Sequence, residues 1–116
     1  MIETILESDS IVVCRPLGRL DWIGAVHLRD AVSSILRPAV HLAIDLNHVD
    51  GVDCDGTSAV SDCIALVQCV GGQAELRNVH EHLVPFLAVA GIDVPLPYEI
   101  EGEGRRAMTG STKENR

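Results

Sequence analysis

Apolar residues recur with two different periods along this chain, and the places where the period changes mark its elements. Residues 2 to 6 and "IVVCRPL" at 11 to 17 are strand-like runs separated by the polar turn Glu7-Ser8-Asp9-Ser10, which predicts an antiparallel pair. Gly18 is expected to end the second strand. From Ile23 to Arg37 the period lengthens, with Ala25, Leu28, Val32, Ile35 and Leu36 recurring at helical spacing. Asp21 is placed to cap this helix and Pro38 to stop it. "VHLAIDLN" at 40 to 47 is apolar on alternate positions with a mostly apolar remainder, the look of a strand covered on both faces.

A second amphipathic helix follows from Ala59, Val60, Cys63, Ile64, Val67 and Val70 and closes at Gly71-Gly72. "QAELRNV" at 73 to 79 reads as a strand. "HLVPFLAVA" fits a third, shorter helix, with Pro85 in the first turn, where its missing N–H costs little, and Gly91 as its cap. Ile92 to Val94 are expected to add one short strand. The order ββαβαβα predicts an α/β fold: right-handed β-α-β crossovers forming a small mixed, mostly parallel sheet with helices packed on it. Residues 1 to 95 read as one domain. Residues 96 to 116, with mixed charge, glycines and little periodicity, read as a flexible tail.

Composition narrows this picture. At 116 residues the chain supports one core, and with only Trp22, Phe86 and Tyr98 as aromatics that core must be aliphatic. The net charge is −8, and residues 1 to 94 carry 13 acids against 5 arginines. An acidic body repels phosphate backbones and anionic membrane surfaces, so nucleic acid is excluded as a direct partner and a basic protein is favoured. No apolar run approaches the ~20 residues needed to cross a bilayer, so direct membrane insertion is not expected. Met1 is followed by Glu3 and Glu7 rather than a basic leader, and the expected location is the cytoplasm. The four cysteines contain no C-x-x-C pair, which argues against structural zinc. Cys63 and Cys69, six apart on one helix, lie ~9 Å apart along its axis, too far to bridge. Four reduced, mostly buried thiols are expected.

The candidate chemistry sits in "VDCDGTSAV" at 52 to 60. Asp53-Cys54-Asp55-Gly56-Thr57 looks like the first motif of the haloacid-dehalogenase-type phosphatases, in which the first Asp attacks phosphorus, the second serves as acid and base, and magnesium joins them. That chemistry needs a cation against the phosphoryl oxygens and further metal-binding acids. The sole lysine is Lys113, in the tail, and no paired acids stand at a later strand end. A calcium-loop alignment puts Gly51 at the first ligand position and lacks the preceding helix, so it fails.

Taken in order, Gly18-Arg19-Leu20-Asp21, Asp45-Leu46, Asp53-Cys54-Asp55-Gly56 and Leu87 to Gly91 resemble the STAS family, the bacterial anti-sigma-factor antagonists. The family pattern is G-x-L-D, D-L, D-S-S-G and L-x-x-x-G, and the resemblance spans residues ~1 to 94 as one small domain. It implies a single STAS domain without an active site or cofactor, a monomer or weak homodimer. It implies docking on a kinase-type anti-sigma factor or a related regulatory ATPase. The alternative within the fold is a STAS subunit of a membrane transport or signalling complex. Asp21, Asp53, Cys54, Asp55, Gly56, Thr57 and Ser58 are the expected contact residues. The family's phospho-acceptor serine is Cys54 here, which a hydroxyl kinase cannot use, and the next position is Asp55, a permanent charge. Cys54 as an oxidation switch, and Thr57 or Ser58 as substitute acceptors, are further options; Thr57 as N-cap and Ser58 as a first-turn residue explain those two equally well.

Trp22 is expected as a core anchor, although an exposed position would make it a binding hot spot. His80 and His82, two apart, are expected to point away from each other, and His41 and His48 have no evident partners.

Overall fold

The computed structural model describes residues 1–92 and 98–100. Strands β1 (Ile2–Leu6) and β2 (Ile11–Pro16) form the expected antiparallel pair, with Thr4 opposite Cys14. The short β3 (Gly18–Leu20) leads into α1 (Trp22–Ile35). Next come β4 (His41–Asp45), β5 (Val49–Val52), α2 (Cys54–Cys69) and β6 (Gln73–Val79). A 3-10 turn (Glu81–Leu83) and α3 (Val84–Val89) follow, and β7 (Tyr98–Ile100) is the last described strand. The main sheet has the order β1-β2-β4-β6-β7, parallel from β2 onward, and β3 pairs with β5 in a separate parallel ribbon. The predicted α/β class and the mixed, mostly parallel sheet are what the chain adopts.

One apolar cluster holds the layers together. Val12 and Cys14 of β2, Leu42 and Ile44 of β4, and Ala74 and Leu76 of β6 meet Leu28 and Val32 of α1 and Val60, Cys63 and Val67 of α2. Both helices therefore cover the same face of the sheet. Burial raises the Cys14 thiol, and it pushes Cys63, with Cys14 nearby, up to about 12. These two thiols are core filling. Cys54 and Cys69 are exposed, so the expectation of mostly buried thiols holds for half of them.

The opposite face explains the near-continuous apolar look of β4. Leu42 to Asp45 are all buried, as expected of a strand covered on both sides, but the second cover is polar. Asp45 accepts from Arg15 Nε (3.1 Å), the Asn47 N–H (2.9 Å) and Asn78 Nδ2 (3.1 Å), tying three strands at one carboxylate. Burial alone would raise its pKa; the hydrogen bonds from Asn78, Asn47 and Arg15 outweigh that and hold it below the ordinary carboxylate range. Alongside, His41 Nε2 meets Glu75 at 2.8 Å, and Arg77 bridges Glu75 and Glu7. His41 thus has a partner that its sequence position did not reveal. Asn78 sits at φ 54°, a left-handed position Asn tolerates, and the strand's alternation breaks there so that Val79 lands in the core.

Several boundaries differ from the sequence reading. Gly18 does not close β2, which ends at Pro16; it opens β3 instead. β5 forms where only a loop was expected. Ile92 is not in a strand, and 93–94 lie outside the described residues. β7, beside β6, falls within the stretch read as a tail, while residues 101–116 lie outside the described residues. His80 precedes the 3-10 turn, and its ring centroid lies 5.7 Å from that of His82, so the two do not point apart.

Candidate functional site

The site is built by the small ribbon. Leu20, the last residue of β3, is in register with Val52, the last of β5, and each strand runs directly into a helix through one aspartate. Parallel neighbours lie about 4.8 Å apart, so α1 and α2 begin side by side. Asp21 Oδ1 accepts from the Ile23 and Gly24 N–H groups, both at 3.1 Å, and fulfils its expected role as cap of α1. The Gly24 and Ile23 N–H bonds hold its carboxyl below the usual range. Asp53 caps α2, accepting from the Gly56 N–H at 3.0 Å.

This relocates the start of the second helix. Asp53, not Thr57, is its N-cap, and Cys54-Asp55-Gly56 form its first turn rather than a loop. Ser58 lies beyond that turn. The Thr57 hydroxyl is buried and donates to the Asp53 and Cys54 carbonyls at 3.2 and 3.1 Å. Gly56 is where the start of α2 touches the end of β3. A Cβ there would stand 2.0 Å from the Leu20 carbonyl oxygen, so only glycine admits this approach. The Asp53 N–H donates to the same Leu20 carbonyl at 3.3 Å. Further along, Arg29 of α1 binds Asp62 of α2 through Nε (3.3 Å) and its NH2 group (2.9 Å).

The seven predicted contact residues therefore divide. Cys54, Asp55 and Ser58 are exposed on the first two turns of α2; Asp21 and Asp53 are half-buried caps; Gly56 and Thr57 are buried. Trp22 departs from its expected core role, being 62% exposed at the start of α1. Its neighbours Ile23 and Val26 are each 47% exposed. Sequence reasoning left Ile23 and Val26 out of the site; the signal was present, since neither belongs to the Ala25, Leu28, Val32 stripe that packs on the sheet. Among the described residues no three His, Cys, Asp or Glu side chains are grouped for a metal ion, and the Asp53 carboxylate is committed to capping.

The family model of the STAS domain matches residues 4–98. The chain belongs to the STAS family. No curated protein sequence matches it. Among solved structures, the phosphorylated Bacillus cell fate determinant SpoIIAA superposes with a TM-score of 0.69 at 19% identity, over 89% of this chain and 95% of that one. A putative anti-sigma factor antagonist from Thermotoga maritima gives 0.70 at 14% identity, covering 84% of each. The murine Solute Carrier 26 family member A9 anion transporter matches 74% of this chain at a TM-score of 0.64 and 18% identity, but the match spans only 14% of the transporter chain. At these identities the likeness is one of fold.

Proposed function

We propose that this STAS domain is a regulatory docking module of the anti-sigma-factor antagonist kind, engaging a kinase-type anti-sigma factor in the bacterial cytoplasm through the paired starts of α1 and α2. The observation that carries the reading is the exposed first turn of α2, Cys54-Asp55, standing beside the start of α1 in a STAS domain. In this reading Cys54, Asp55 and Ser58 meet the partner, Asp21 and Asp53 orient the two helices, and Gly56 and Thr57 set their spacing. Asp55 supplies a fixed negative charge at the positive pole of α2, and Cys54 offers no hydroxyl to a kinase, so the contact carries no phosphate switch at that position. The phosphatase reading loses ground because its would-be nucleophile, Asp53, accepts from a helix N–H.

The test is reconstitution. The purified chain should bind a kinase-type anti-sigma factor of its source organism and relieve the block on the cognate sigma factor in a transcription assay. ATP should leave the binding unchanged, and Asp55→Arg should weaken it. Binding only to the ATPase or membrane part of a transporter would favour the second STAS reading, which the likeness to the murine transporter supports. Magnesium-dependent release of phosphate from an aryl phosphate, lost in Asp53→Asn, would replace both with an enzyme.

A further inference from the structure

We propose that the apolar strip Trp22, Ile23 and Val26 on α1 is the anchor of the docking surface, received by a protein partner with an apolar pocket rimmed by arginine or lysine; the proposal rests on the reading above for the location of the contact. Trp22 and Val26 are one turn apart and share a helix face, with Ile23 beside them. The sheet-facing stripe of α1 is Gly24, Ala25, Leu28 and Val32, so the strip points away from the core. An exposed tryptophan flanked by two exposed aliphatics contributes little to holding this fold. It matches the composition of interface hot spots, where a rigid aromatic enters a pocket and polar groups surround it.

The chemistry of the occupant follows from the rim. Asp21 lies immediately before the strip, Asp53 and Asp55 at the neighbouring start of α2, and Asp30 one turn beyond Val26 on α1. Arg29 is paired with Asp62, which leaves Arg19 of β3 as the nearby exposed cation. A second copy of this chain would bring two such acidic rims together, each on a body of net charge −8, and an anionic membrane would meet the same repulsion. A basic rim around an apolar pocket satisfies both features.

Trp22 is the sole tryptophan, so 5-fluorotryptophan labelling gives the chain one fluorine signal at the strip. The labelled chain is titrated with purified kinase-type anti-sigma factors of the source organism. It is also titrated with any protein captured on the immobilised chain, once that protein has been identified and purified. The proposal expects the fluorine signal to shift and lose its solvent-isotope response in the complex, and affinity to fall as salt rises. Trp22→Ala should weaken binding roughly 30-fold or more, Trp22→Phe should retain most of it, and Val89→Ser on α3 should change nothing. Val26→Asp is a second probe should Trp22→Ala perturb folding. A complex in which the signal stays solvent-exposed, or Trp22→Ala binds as before, overturns the proposal while leaving the docking function standing. If anti-sigma factors do not bind but another protein does with the same Trp22 response, the functional reading fails and the anchor stands. A dimer in sedimentation that Trp22→Ala abolishes, or no binding protein at all, overturns the anchor.

Discussion

Two regions of this small domain handle polarity in opposite ways. On the face of the sheet opposite α1 and α2, polar groups are matched internally: Arg15 pairs with Asp45, His41 with Glu75, and Arg77 with Glu75 and Glu7, joining β2, β4, β6 and the turn after β1. At the paired helix starts, the carboxylates of Asp21 and Asp53 accept from backbone N–H groups, the Asp55 side chain forms no hydrogen bond or ion pair among the described residues, and large apolar side chains stand in water. The first arrangement satisfies itself. The second leaves surface and charge uncompensated, which is the physical content of the proposal that it is a docking end.

Substitutions sharpen that contrast, and the largest effect belongs to a residue with no side chain. Gly56→Ala places a methyl group against the Leu20 carbonyl and forces the start of α2 away from the end of β3. It should cost about 3 kcal/mol or more in urea unfolding, and a midpoint like that of the parent protein would show that the close approach is not needed. Asp45→Ala leaves Arg15, Asn78 and the Asn47 N–H without their shared acceptor on a buried carboxylate, and should cost about 2 kcal/mol by the same measurement.

Asp45 also gives the lattice a pH signature. Its folded pKa is depressed, so its contribution is complete above the unfolded value of about 3.9 and is lost as pH falls through the folded one. Glu75, whose burial is outweighed by bonds from Arg77 and His41, has the same sign. Stability should therefore drop below about pH 4, and Asp45→Asn should flatten that drop. An unchanged acid profile in the variant would remove Asp45 from the account. A smaller effect is expected at the docking end: Asp53→Ala removes one helix cap and should lower stability by about 1 kcal/mol, read by thermal unfolding. Smallest of all, Trp22→Ala should shift unfolding by no more than about 0.5 kcal/mol, since the ring is mostly in water.

The helices and the four main strands were legible because apolar periodicity reports which face meets the core, and Asp21 was legible because a cap announces itself locally. β5 was not. Val49-Asp50-Gly51-Val52 alternates too briefly and too polarly to stand apart from a loop, and it becomes a strand only because β3 lies beside it. The start of α2 was hidden by Gly56, a poor helix former whose presence is required by Leu20, a residue 36 positions earlier. The order of motifs carried the family, whereas the exposure of Trp22 and the pairing of His41 with Glu75 depend on contacts between elements distant in sequence. Local pattern supplied the architecture, and long-range contacts decided which face of each helix start was left open.

Hydrogen exchange of the chain alone and in complex with the proposed anti-sigma-factor partner tests the central claim most directly. The free N–H groups of the first turn of a helix exchange quickly unless something covers them. New protection should appear at residues 22–26 and 54–58, with residues 41–45 and 73–77 unchanged. Protection confined to the charged lattice, with the two helix starts still exchanging as in the free chain, would contradict it.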